Sequence, residues 1–183
     1  MVTEEIIKSG ELYDASDADL YELQWRYNDL MYEFNQTRPS NRRKQQEILK
    51  ELLGDLGEGC VIEPPLRANW GKNSHFGDNV YVNFNLTLVD DADIYIGNHV
   101  MIGPNVTLVT AGHPLEAELR KKGMQFNKSV RIGDGVWLGA NVIVLPGVTI
   151  GENTTIGAGS IVTRDIPANV VAYGNPCRVR KTL

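Results

Sequence analysis

The sequence predicts a mainly β protein: a β-helix of hexapeptide repeats, led by an N-terminal helical segment and interrupted by a protruding loop at about 109–131. Three observations predict it. An aliphatic residue returns every sixth position, at Ile132, Leu138, Val144, Ile150, Ile156 and Val162, and a fixed short period of this kind means stacked repeats. A glycine follows in four of those six hexads, at Gly133, Gly139, Gly151 and Gly157, where a tight bend needs a permissive backbone. The period then breaks once, after Leu108, and resumes 24 residues later at Ile132.

Side chains alternate in and out along a strand. Six residues therefore make one short strand and one corner, with the aliphatic residue pointing into a prism. Small residues such as Val136, Val142 and Val148 suit a narrow interior. No single coil buries its own apolar face, so coils stabilise one another by stacking.

In chain order, residues 4–9 read as a short helix ended by Gly10. Ser16 with Asp19 has the form of an acidic capping box, and Leu20, Leu23, Tyr27, Leu30, Met31 and Phe34 follow at helical spacing. Pro39 and Ser40 break the chain. A second helix is expected from about Asn41 to Leu53, ended by Gly54, Gly57 and Gly59. From Cys60 the hexads begin: Phe76 to Tyr81, then Val82, Leu88 and Ile94. The frame slips by two residues to Ile96, which points to a bulge or an irregular corner around Asp90 to Asp93. Residues 109 to about 131 carry no hexad. An excursion of that length inside a regular repeat is usually functional or disordered. Beyond Pro167, the turn residues Gly174 and Pro176 precede a basic tail with Arg178, Arg180 and Lys181.

The formal net charge of −5 argues against a nucleic-acid partner. No apolar run reaches the length of a membrane span, and MVTEEIIKSG lacks the basic-then-apolar order of a signal peptide. A reduced, cytoplasmic protein is the expectation, with Cys60 and Cys177 read as small buried hydrophobes.

Of three histidines, His99 falls at a hexad corner and His75 just before Phe76, both read as solvated or structural. His113 lies at the root of the insertion, between Gly112 and Pro114, and histidine is the side chain best suited to take a proton near neutral pH. Asn83 and Asn85 face the same way if the strand runs through them, and the expectation for Asn85 is a corner. Asp91, beside Asp90 at the frame slip, is a candidate ligand residue. Trp137 is too large for a narrow prism and should point outward. Lys121, Lys122, Arg164, Arg178, Arg180 and Lys181 together would suit a phosphate-bearing cofactor.

These residues carry a resemblance. LYDASD near the start, LMYEFN at 30–35, NFNLTLVDDADIYIG at 83–97, IGPNVTLVTAGHP at 102–114, IGDGVWLGANVIVLPGVTIG at 132–151 and IGAGSIVTRDIPANVVAYGNPCRV at 156–179 resemble the maltose and galactoside O-acetyltransferases of the hexapeptide-repeat acyltransferase superfamily. The resemblance covers nearly the whole chain. It implies a left-handed parallel β-helix of triangular section, although ordinary parallel crossovers are right-handed. It also implies a homotrimer with active sites between subunits, a small sugar acceptor, acetyl-CoA as co-substrate and no metal. Residues 1–58 would form a helical cap and acceptor-binding segment, and 59–183 the β-helix acyltransferase domain with its tail.

By the same resemblance, His113 is the catalytic base and Asn83 stands beside it. Asp91 holds sugar hydroxyls, Asn69 adds a polar acceptor contact, and an acid of LYDASD, either Asp14 or Asp17, adds another. Trp137, Ala140, Ala158, Thr163, Arg164 and Arg178 match coenzyme A positions, and a backbone N–H near Ala140 meets the oxyanion. Met124 to Asn127 follows neither the maltose nor the galactoside pattern closely, so the acceptor stays open between those sugars and an amino sugar or antibiotic. A non-catalytic scaffold is a further alternative. A zinc enzyme on the same β-helix, resembling the γ-class carbonic anhydrases, needs a close histidine pair in neighbouring coils, which the spacings of 24 and 14 residues do not supply.

Overall fold

The computed structural model describes residues 3–16 and 18–183, the side chains of 18–21 and 23 excepted. Asp17, and the side chains of Asp19, Leu20 and Leu23, thus lie outside the described residues. Helix α1 spans Glu4–Lys8 and is capped by Thr3, whose hydroxyl accepts from the Ile6 N–H. Helix α2 spans Ala18–Gln36 and α3 Arg42–Leu52. Asn41 caps α3 by accepting from the Lys44 N–H, which satisfies one of the helix's orphan donors. The N–H and hydroxyl of Ser16 both donate to Asp14 Oδ1, at 2.9 and 2.6 Å.

The rest is a parallel β-helix. Its first face stacks Asp55–Leu56, Ser74–Phe76, Ile94–Ile96, Val130–Ile132 and Thr149–Ile150. The second stacks Val61–Ile62, Tyr81–Val82, Met101–Ile102, Trp137–Leu138, Thr155–Ile156 and Val170–Tyr173. The third stacks Leu66–Ala68, Leu86–Val89, Thr107–Val109, Ile143–Val144 and Ile161–Val162. Inward residues such as Leu88, Leu108, Leu138, Val144 and Ile156 are fully buried, each worth about 1.5–3 kcal/mol relative to exposure. At the corners Asn79, Asn85, His99, Asn105, Asn141 and Asn153 adopt positive φ, as the corner reading of His99 and Asn85 anticipated. Asn83 and Asn85 do not share a strand face, however. The strand ends at Val82, and the left-handed backbone of Asn85 (φ 63°) turns the chain between them.

Coil length explains the frame slip. Leu138 pairs with Ile156, so a coil there has 18 residues, or three hexads. Phe76 pairs with Ile96, so the earlier coil has 20. The extra pair of residues sits at the corner from third to first face, at 69–73 in one coil and 90–93 in the next. The slip is thus a repeated wide corner rather than an isolated bulge. In the following coil the insertion leaves from that same corner.

The insertion is folded. Ala111–Gly112 pairs antiparallel with Met124–Asn127, which pairs antiparallel with Tyr13–Asp14 near the N-terminus; helix α4, Ala117–Lys121, lies between the two insertion strands. The basic tail is also folded: Arg178–Thr182 returns antiparallel on Val170–Tyr173.

Helices α2 and α3 close the opposite end of the β-helix. Met31, Phe34, Ile48, Leu49 and Leu52 join one continuous core with the coil interior. Strand Leu66–Ala68 is an edge, and such edges need covering. Here α2 covers it, and the Asn35 amide both donates to Leu66 O and accepts from Leu66 N, each at 2.8 Å. Among the described residues no helix is long and apolar enough to cross a membrane.

Candidate active site

Two concavities hold half of the anticipated residues, and they lie on different edges of the prism. The larger, about 560 Å³, runs along the corner from second to third face. Its wall is made of outward residues stacked coil on coil, Tyr81, Met101 and Trp137. Trp137 is 50% exposed and does point outward. Its floor is nearly bare backbone at Gly103, Pro104, Gly139, Ala140, Gly157 and Ala158. Glycine is required there by close approach: a Cβ on Gly139 would sit 2.6 Å from Ala158 N.

The polarity of that floor is set by what alanine lacks. At the equivalent corner between first and second face, Asn98 N–H donates to Asp134 Oδ1 of the next coil at 2.8 Å. At the second-to-third corner the residue above Ala140 is Ala158, which has no acceptor. Among the described residues the Ala140 N–H has no partner, so it faces the groove as an open donor. Asn83 lies at the groove mouth. Its Oδ1 accepts from Phe84 N at 2.8 Å, which leaves its NH₂ group to donate outward.

The smaller cleft, about 270 Å³, lies at the wide corner from third to first face. Asn69 and Asp91 come together there: Asn69 Nδ2 donates to Asp91 Oδ2 at 2.8 Å. Tyr13, Ala15 and Gln24 from the N-terminal segment, Trp70, and Gln125 from the insertion line it too. Behind them Asp90 is fully buried. It accepts from Trp70 N at 2.8 Å and from Ser74 Oγ at 3.1 Å, and burial pushes its carboxyl up to about 7. Asp90 therefore ties down the corner on which Asn69 and Asp91 stand.

His113 is exposed at the insertion root, and its Nδ1 lies 2.9 Å from Met124 O. A carbonyl can only accept, so Nδ1 carries a proton, and in the neutral ring the lone pair is on Nε2. Asp14 pairs in register with Met124, on the far side of that strand from Ala111–Gly112 and His113. Its side chain points to solvent, away from the cleft that Tyr13 enters, and the two bonds from Ser16 hold its carboxyl below the usual range. Thr163 and Arg164 follow strand Ile161–Val162 at the next corner, and Arg178 opens the returning tail strand; none of the three lines either cleft. Lys121 is paired with Glu118 at 2.7 Å, so the basic residues are split between insertion and tail.

His75 stands apart. It sits between Asp55 and Asp93 and stacks on Tyr95 with ring centroids 4.9 Å apart, as its structural reading anticipated. Another concavity, about 670 Å³, lies beside it on the first face and holds none of the anticipated residues. Sequence reasoning missed Tyr81 and Met101. They were visible as large residues at outward positions in step with Trp137. Tyr13 and Gln125 fall inside the LYDASD and Met124–Asn127 stretches without being singled out there, and Trp70, which no repeat places, is passed over.

The comparisons with known proteins agree on one group. A family model described as the maltose acetyltransferase hexapeptide capping motif matches residues 7–57, and the bacterial transferase hexapeptide model matches residues 129–164. The galactoside O-acetyltransferase of Lactococcus lactis subsp. lactis (strain IL1403) is 54% identical over 178 residues, covering 97% of this chain and 86% of that one. The crystal structure of a maltose O-acetyltransferase from Clostridium difficile 630 matches with a TM-score of 0.97 at 43% identity, covering 100% of this chain and 98% of that one. A galactoside acetyltransferase in complex with coenzyme A matches with a TM-score of 0.95 at 48% identity, covering 100% of this chain and 91% of that one.

Proposed function

This chain belongs to the maltose and galactoside O-acetyltransferase family of hexapeptide-repeat acyltransferases, and from that premise we propose how its two clefts divide the reaction. The chain is a sugar O-acetyltransferase that takes its acetyl group from acetyl-CoA. The groove beside Trp137 receives the donor, with the pantetheine arm along the indole. The cleft of Asn69 and Asp91 receives the sugar. Thr163, Arg164 and Arg178 contact the far part of coenzyme A, and of the two N-terminal acids Asp17 is the one to reach the acceptor, since Asp14 faces away from the cleft.

The observation that carries the mechanism is the His113 to Met124 hydrogen bond. It keeps Nε2 as a free base, which takes the proton of a sugar hydroxyl as that oxygen attacks the thioester carbonyl. The Ala140 N–H, open because Ala158 cannot fill it, donates to the developing oxyanion, and Asn83 offers its NH₂ nearby. Collapse expels the thiolate of coenzyme A, which recovers the proton from His113. No acetyl-enzyme forms.

The donor and acceptor clefts share no lining residue within one chain. Direct transfer therefore favours a homotrimer, in which the insertion of one copy meets the donor groove of the next. Tyr81, Phe84, Met101 and Trp137, each 42–51% exposed, supply the apolar surface such a contact covers. Sedimentation at micromolar concentration is expected to give three copies; a monomer that still turns over would remove the shared site. The acetyl-CoA donor fits a cytoplasmic enzyme.

The test is thiol release from acetyl-CoA with glucose, maltose, galactosides and amino sugars. Turnover on plain sugars above amino sugars supports the reading, and turnover on amino sugars alone moves the acceptor class. On the donor side, Trp137→Ala should raise KM for acetyl-CoA about tenfold with KM for the sugar unchanged. An unchanged donor KM would move the pantetheine elsewhere.

A further inference from the structure

We propose that Tyr13 is an acceptor-recognition residue, its hydroxyl donating a hydrogen bond to a sugar oxygen beside the hydroxyl that Asp91 accepts from. The inference rests on the sugar-acceptor reading above and adds to it a residue and a polarity.

The polarity follows from one backbone carbonyl. Ile7 O can only accept, and it lies 2.9 Å from Asn127 Nδ2. That fixes which end of the Asn127 amide is nitrogen. Its oxygen then faces Gln125, which must present Nε2 to it, also at 2.9 Å. Both amide nitrogens have their second proton left, and both lie 2.9 Å from the Tyr13 hydroxyl oxygen. That oxygen accepts twice, which uses both its lone pairs. Its own proton cannot go back to either amide, and no acceptor among the described residues takes it. Tyr13 is only 6% exposed, yet it lines the acceptor cleft with Asp91 and Asn69. The proton is therefore held for a ligand. Burial, first, and the nearby Asp91 push the phenol's pKa up, so it stays a donor at neutral pH.

The cleft thus offers one neutral donor and one carboxylate acceptor. That pair fits two neighbouring sugar oxygens, the first receiving a hydrogen bond and the second giving one. Sites built on such bonds discriminate against analogues that lack the oxygen. Gln125 and Asn127, which orient the phenol, lie in the Met124–Asn127 stretch that follows neither the maltose nor the galactoside pattern.

Tyr13→Phe keeps the ring and removes the O–H. The experiment measures kcat and KM for the best acceptor of the panel and for its single-deoxy analogues, with wild type and variant side by side. The expected result is a three- to tenfold fall in kcat/KM, carried by the acceptor KM, with KM for acetyl-CoA unchanged. One deoxy sugar, lacking the contacted oxygen, should be used equally well by both proteins. Gln125→Glu keeps the phenol but gives its proton a partner inside the protein, so it should lose activity on the same sugars with the same deoxy pattern. This second variant keeps the test open if the phenylalanine protein folds poorly. An equal loss on every deoxy sugar would make Tyr13 purely structural and overturn the proposal, as would no loss at all. Failure of wild type to use any sugar would instead sink the sugar-acceptor reading beneath it.

Discussion

His113→Ala loses about a hundred- to ten-thousandfold of acetyl transfer, almost all of it in kcat. A sugar hydroxyl is a poor nucleophile until its proton leaves, and in the proposed mechanism Nε2 of His113, whose Nδ1 is held by the Met124 carbonyl, is the base that takes it. The donor groove holds no part of His113, so KM for acetyl-CoA should stay within about twofold of wild type, the scale of a change that touches no donor contact. The side chain is exposed, and its removal leaves the Met124 carbonyl to water. Stability should therefore change by less than about 0.5 kcal/mol, as for other surface replacements. His113→Asn sharpens the result. Its amide can still donate to Met124 O but has no basic nitrogen, so it should lose as much as the alanine variant. Wild-type rates in both would remove His113 as the base.

Asp90→Asn is expected to flatten the dependence of stability on pH. Burial holds the Asp90 carboxyl near 7 against an ordinary value of 3.8. Between about pH 4 and 7 the folded protein keeps a proton that the unfolded chain has already released. Stability therefore falls as pH rises through that window, by on the order of 2–4 kcal/mol. Asparagine has nothing to release. Its oxygen can accept from Trp70 N, and its NH₂ group can donate to Ser74 Oγ once that hydroxyl, which donates to Asp90, turns to accept. In urea denaturation the two proteins should match near pH 4, with the variant the more stable by pH 8. Parallel curves across that range would mean that Asp90 is already ionised in the folded state.

The contrast between these two sites also marks what the chain discloses by itself. The β-helix is legible because one rule, an inward aliphatic every sixth residue, repeats from Ile132 to Val162 and needs no knowledge of distant contacts. Trp137 is legible for the converse reason, since it breaks the rule of size for an interior position. The wide corners are half legible: the two-residue slip at Asp90 to Asp93 shows in the sequence, but its twin at 69–73 lies among Pro and Trp residues that obscure the period. The antiparallel pairing of Tyr13–Asp14 with Met124–Asn127 left no trace, because a two-residue strand has no periodicity and its partner lies over 100 residues away. The same holds for the folded tail at Arg178–Thr182, where charge masked a strand.

That inconspicuous pairing limits how this enzyme can be remodelled. The insertion leaves the solenoid and returns to it without disturbing the stacking, as Leu138 still sits directly on Ile102. It looks like an exchangeable cartridge, one that could swap acceptor preference while the donor groove stays as it is. But one of the three strands of its small sheet is contributed from the other end of the chain. A chimera that received residues 109–131 from a relative would bring Gln125 and Asn127 replacements to a Tyr13 shaped for others. If the proposed acceptor cleft holds the sugar, acceptor preference is inherited in two separate pieces of sequence, and only recombinants that carry both should bind a new sugar as tightly as their parent.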